Sequence, residues 1–203
     1  MKPAEIEQES FRIILAELGT HTFPAAELAI VQRVIHATAD FDYASLLRFS
    51  AEAIPNGMRA LQTGCQLVSD VQMIAAGVNQ PRLAKFGCRI RCLVNDPQVA
   101  GIAQEQGKTR SEIAMHQFGA ALNGAIVAIG NAPTALLELL RLCAAEDIRP
   151  ALVVGVPVGF VNAVESKQAL SQTSLPYITT NGRKGGSTVA VAILNALLRL
   201  AEG

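Results

Sequence analysis

The sequence predicts an α/β fold: a three-layer α/β/α arrangement with a mainly parallel sheet of about five strands, plus an N-terminal helical subdomain. Two observations carry this. From Cys65 onward, short apolar runs alternate with helical segments, the order that accompanies parallel pairing. Those runs are continuously aliphatic rather than alternating, as strands covered on both faces are. Composition agrees, because half the residues are apolar while only 4% are aromatic and none is Trp, so the core is aliphatic. A chain of 203 residues suits one domain. We expect a single domain over 1–203, with a helical part over 1–64 and an α/β part over 65–203.

In the first stretch, residues 4–18, Phe11, Ile14, Leu15 and Leu18 fall on one helical face. Pro24 suits the start of a second helix, AAELAIVQRVIHATA. SLLRFSAEAIPNGMRALQTG reads as more helix, broken at Pro55-Asn56-Gly57. Strand candidates follow at 65–70, 88–96, 125–130, 151–159 and 176–182. Between them lie helices, of which one is capped by Asp96 and one opens on the capping box Thr109-Arg110-Ser111-Glu112. The chain closes with the helix STVAVAILNALLRLA. This helix and the N-terminal helices carry more apolar surface than one compact domain covers, which predicts an interface with a second copy.

Seventeen basic residues cancel seventeen acidic ones. That removes the electrostatic footprint of a nucleic-acid binder, so no nucleic-acid partner is expected. The four cysteines are too few and scattered for a disulfide scaffold. Cys88 and Cys92, four residues apart in a strand, would lie about 13 Å apart, beyond disulfide or shared-metal reach, so free thiols and a reducing compartment are expected. The N-terminal stretch carries acids inside its apolar pattern and does not read as a signal peptide. No apolar run reaches the roughly 18 residues of a membrane span. A cytoplasmic protein with no membrane partner is the expectation.

In a parallel sheet, ligands sit beyond the carboxyl ends of the strands, near the point where strand order reverses. Polar and glycine-rich segments follow each strand candidate: Asp70, Asn95-Asp96, Gly130-Asn131-Ala132-Pro133-Thr134, Gly155 to Gly159, and Gly182-Arg183-Lys184-Gly185-Gly186-Ser187. Any one of these loops can simply turn the chain; together they make a binding rim. The last is no nucleotide P-loop, since Gly186 rather than Lys precedes Ser187, and no G-x-G-x-x-G follows a strand. What remains is a basic anion site, Arg183 and Lys184 with the amides of a helix start, suited to carboxylates or phosphates.

No two of the three histidines stand at i, i+3 or i+4, so no helix-borne metal pair exists and no metal site is expected. Arg33 and His36 share a helix face beside the apolar Ile30 and Val34. The pair reads either as a solvated feature or as a general acid, His36, beside an anion clamp, Arg33.

Seven segments in order give a sharper reading. They are Ser10 to Ile14 (S-F-x-I-I), Arg33 to Ala37 (R-x-[VI]-H-A), Thr109 to Ser111 (T-R-S), Val127 to Leu136, Gly155 to Val161, Glu165 to Lys167 (E-S-K) and Gly182 to Ser187. In these the chain resembles the precorrin-8X methylmutase (precorrin isomerase) family over nearly its whole length. The resemblance implies a methyl migration from carbon 11 to carbon 12 of a tetrapyrrole, precorrin-8X or cobalt-precorrin-8, giving a corrin product, hydrogenobyrinate or cobyrinate. It also implies that no cofactor is consumed, that the family's catalytic histidine falls on His36, and that the enzyme is a homodimer. Substrate contacts fall on Ser10, Arg33 and Arg110, and the rim adds Arg183 with the amides of Gly185 and Gly186. The alternative is a non-catalytic tetrapyrrole or corrinoid carrier, which would keep the rim and the arginines without needing His36.

Overall fold

The computed structural model describes residues 2–203. Helices α1 (Pro3–Leu18) and α2 (Ala25–Thr38) come first, followed by a single turn α3 (Tyr43–Leu46), strand β1 (Leu47–Phe49) and α4 (Ala53–Gln62). Next are β2 (Gln66–Ser69), α5 (Gln72–Gly77), α6 (Gln80–Lys85), β3 (Arg89–Arg91), α7 (Pro97–Gln106) and α8 (Arg110–Phe118). A 3₁₀ turn leads into β4 (Ile126–Ile129), α9 (Pro133–Ala145), β5 (Leu152–Gly155), α10 (Ala163–Ser171), β6 (Tyr177–Thr180) and α11 (Ser187–Glu202).

The sheet has six strands in the order β1-β6-β5-β4-β2-β3, one more than expected. Five are parallel, and the additional β1 runs antiparallel to β6 with Leu47 opposite Thr180. β1 lies where the sequence reads as helix. Three residues carry too little periodicity to declare a strand, and only pairing with β6 makes one. The break expected at Pro55-Asn56-Gly57 is also absent, since all three lie inside α4. Pro55 is in its first turn, where no intrahelical partner awaits its missing N–H. Gly57 lets α4 close on β5, since a Cβ there would sit 2.8 Å from a Leu152 methyl.

Alternate strand residues feed two aliphatic layers. Leu67, Ile126, Leu152, Val154 and Ile178 pack with α2, α4 and α11, while Val68, Val127, Ile129 and Val153 pack with α8 and α9. The helical N-terminal part and the sheet therefore share the first of these cores. The final helix is not the exposed stripe that the sequence suggests. Val189, Ala190, Ile193, Leu194, Leu197 and Leu198 are all buried within the chain, because α2 and α4 pack along it. Exposed apolar side chains lie elsewhere, among them Ile6, Ile13 and Leu15 on α1, Met73 on α5, Leu137 on α9, and Val158, Phe160 and Val161 on the loop after β5. Among the described residues, no helix is long and apolar enough to cross a membrane.

Candidate functional site

The strand order reverses between β2 and β4, since the chain leaves β2 toward β3 and returns to the other side. The crevice this creates is the usual ligand position, but here Asp70 fills it. Its carboxylate, 1% exposed, accepts N–H bonds from Gly130 (3.1 Å), Asn131 (2.9 Å) and Ala132 (2.7 Å). Burial pushes the carboxyl above its usual range, against those three donors. An internal anion thus satisfies the amides ahead of α9, and the expected residues fall into separate groups elsewhere.

On one side is the face shared by α1 and α2. Phe11 is its centre: the Arg33 guanidinium lies 4.6 Å over its ring, and the His36 ring stands 5.2 Å from it at a 41° tilt. Arg33 Nη1 donates to Glu7 Oε1 at 2.7 Å, and Arg199 reaches the same oxygen at 3.1 Å. The Arg33 bond is the main reason that the Glu7 carboxyl lies below the usual range. Ser10, next to Phe11, donates its hydroxyl to the Ile6 carbonyl at 2.8 Å. His36 is exposed in the last turn of α2, free to meet a ligand from solvent.

On the other side is the loop between β6 and α11. Lys184 does not serve there as a free cation. Its Nζ reaches Asp40 at 2.5 Å and Asp42 at 2.7 Å, just beyond the end of α2. The expected basic pair is therefore reduced to Arg183, whose guanidinium lies 5.1 Å over the exposed Phe160 ring. The Tyr43 hydroxyl donates to the Gly185 carbonyl at 3.2 Å, and the Gly186 amide donates to the Val156 carbonyl at 2.8 Å. A Cβ on Gly185 would come within 2.2 Å of that same Val156 oxygen, so the close approach requires glycine. One of the two amides proposed for ligand binding, that of Gly186, is thus already used within the chain.

The bonds from Asp40, Asp42 and Tyr43 to the loop bring the carboxyl end of α2 to the sheet's rim. These bonds start from residues just beyond His36, whereas Arg33 reaches, through Glu7, Arg199 in the last turn of α11. Arg110 stands apart at the start of α8, exposed, where Thr109 Oγ1 caps the helix and lies 2.8 Å from Thr134 Oγ1 of α9. The strands preceding α9 and α11 are two places apart, about 10 Å. Arg110 and Arg183 are both exposed and stand on different segments.

Cavities follow this arrangement only in part. A recess of about 260 Å³ includes Phe11 and Arg33 with Arg199 and Leu200. A larger groove of about 570 Å³, lined by Phe49, Ile54, Met58 and Arg59, lies at the amino ends of the parallel strands and holds none of the expected residues. His36, Arg110 and Arg183 all lie exposed at the surface rather than inside a closed cavity. Sequence reading passed over Glu7, Asp40, Asp42 and the binding role of Asp70, each of which acquires its partner from a distant segment. Among the described residues, no group of three or more His, Cys, Asp or Glu is placed to hold a metal ion.

Comparison with known proteins converges on one family. The family model for precorrin-8X methylmutase matches residues 5–200. The chain is 49% identical to a cobalt-precorrin-8 methylmutase of Leptospira interrogans, over 97% of this chain and 93% of that protein. It is 46% identical to a cobalt-precorrin-8 methylmutase of Priestia megaterium, over 100% of this chain and 90% of the other. A solved precorrin-8X methyl mutase from Thermus thermophilus superposes with a TM-score of 0.90 at 48% identity, covering 97% of both chains.

Proposed function

The chain belongs to the precorrin-8X methylmutase family, and from that premise we propose how its surface carries the family's reaction. It is an isomerase of cobalamin biosynthesis that moves a methyl group from carbon 11 to carbon 12 of precorrin-8X or cobalt-precorrin-8. A carrier without catalysis is not favoured, since its relatives are named as methylmutases.

The observation that carries the mechanism is the grouping of Arg33 and His36 around Phe11 on a face open to solvent. The substrate is a broad apolar ring fringed with carboxylates, and it needs a proton donor near the migrating methyl. His36 lends a proton to the conjugated ring, which draws electron density inward. The methyl then migrates with its bonding pair to the neighbouring carbon, and the proton returns to the imidazole. No atom is gained or lost. Proton assistance of this kind supplies about 10² to 10⁴ in rate, and holding the ring in a reactive shape supplies the rest. Arg33, with Ser10 beside it, takes one carboxylate near His36. Arg110, Arg183 and the Gly185 amide take others along the rim.

The exposed Ile6, Ile13 and Leu15 of α1 support a homodimer whose second copy covers the α1 side of the open face. A monomer mass of about 21 kDa by light scattering would refute this. The free thiols fit a reducing cytoplasm. The test of function is to incubate the protein with precorrin-8X and with its cobalt form and to follow the visible spectrum. Appearance of the corrin spectrum is expected; folded protein that converts neither substrate overturns the reading.

A further inference from the structure

Glu165-Ser166-Lys167 is a motif to which the mechanism above gives no task. Helix α10 carries Lys167 beneath the loop that joins β6 to α11, where the residue is only 2% exposed. Its ammonium donates to the Lys184 carbonyl at 2.8 Å and to Thr180 Oγ1 at 3.1 Å. Thr180 Oγ1 donates to the same carbonyl at 2.8 Å, so two donors converge on one point of the loop.

Other cations nearby have acidic partners: Arg33 has Glu7, and Lys184 has Asp40 and Asp42. Among the described residues, Lys167 has no carboxylate within ion-pairing distance. From the loop it faces Arg183 and Lys184; the Asp40 and Asp42 charges beyond are spent on Lys184, and the Tyr43 hydroxyl is bonded to the Gly185 carbonyl. On its own helix Glu165 is exposed to solvent. On α9, Glu138 is paired with Arg141, and β6 offers only Tyr177, at the strand's other end. A buried charge without a counterion is costly, and burial alone depresses the Lys167 ammonium to about 8. Replacing such a group by an apolar one of similar size is commonly neutral or stabilising, so packing does not explain why an ammonium stands here.

We propose that Lys167 is a positioning residue of the carboxylate site, fixing the Arg183–Gly186 loop through the Lys184 carbonyl and holding beneath it a positive charge that a substrate carboxylate offsets. This rests on the reading of that loop as a substrate-carboxylate site. It predicts a proton linkage that a purely structural lysine would not show. An anion arriving above the loop favours the charged ammonium, raises its pKa and draws in a proton, up to about half a proton per site at a pH equal to its free value. Each unit of that rise makes the charged form bind tenfold more tightly than the neutral form.

The experiment is calorimetric titration of hydrogenobyrinate into the full-length protein near pH 8, in buffers of different ionisation enthalpy, for wild type, Lys167→Met and Thr180→Val. In wild type the heat should depend on the buffer. Lys167→Met should lose that dependence and bind about tenfold more weakly, while melting at the same temperature or higher. Thr180→Val, which keeps the ammonium, should retain the proton uptake. Equal affinity or equal proton uptake in Lys167→Met overturns the proposal. So does wild-type binding without any uptake near pH 8, which needs no variant to be read. Failure of wild type to bind the corrin at all would instead bring down the functional reading beneath it.

Discussion

Arg33 and Glu7 are joined at 2.7 Å across the α1–α2 contact, so the expected anion clamp already holds an anion. A substrate carboxylate must share the guanidinium with Glu7 or displace it. Glu7→Gln should therefore tighten product binding by about two- to fivefold, the range expected for a partly exposed ion pair. Arg33→Ala should weaken it and lower turnover. The check is a product titration by visible absorbance; a Glu7→Gln protein that binds more weakly would show that Glu7 belongs to the binding surface rather than competing for it.

His36 is exposed and touches Phe11 without carrying core packing. His36→Ala should melt within a few degrees of wild type, bind product, and lose about 10²- to 10⁴-fold in turnover. Wild-type-like turnover in this folded variant would leave ring strain as the sole source of acceleration.

Arg183 lies on the rim against an exposed phenylalanine, where salt screens its charge. Arg183→Ala should weaken product binding at low salt and approach wild type at high salt, with turnover at saturation little changed. Affinity losses that are equal at both salt concentrations would rule out a screened rim contact.

Asp70→Ala leaves the Gly130, Asn131 and Ala132 amides without their carboxylate. The expected loss of stability is on the order of 3 kcal/mol, from stranded buried donors. Chemical denaturation measures it, and added formate should restore part of the loss by refilling the vacated anion position. Undiminished stability would show that water replaces the carboxylate without cost.

Glu138 of α9 gives the fold an acid limit. Burial raises its carboxyl, but the Arg141 bonds and the His116 contact more than offset that and hold it below its ordinary 4.5. Its folded pKa is thus lower than its unfolded one. The stability it contributes is present above that ordinary value and is lost as pH falls through the folded pKa. Melting temperature measured from neutral pH downward should fall less steeply in Glu138→Gln than in wild type. Parallel profiles would place the acid sensitivity elsewhere.

The alternation of aliphatic runs and helical segments was enough to set the layered α/β class, because burial on both faces leaves its mark in consecutive residues such as Ile126 to Ile129. Arg33 and His36 were likewise visible as a pair, since helix geometry alone puts residues three apart on one face. Nothing local announced β1, whose three residues become a strand only by lying against β6. Nor did local pattern show that Lys184 is spent on Asp40 and Asp42, more than 140 positions away, that Asp70 fills the crevice where strand order reverses, or that α11 is covered by its own chain. The sequence determines periodicity and residue chemistry because these depend on near neighbours. Which charge meets which, and which group is taken out of water, depends on distant segments brought together, and only the tertiary structure decides that.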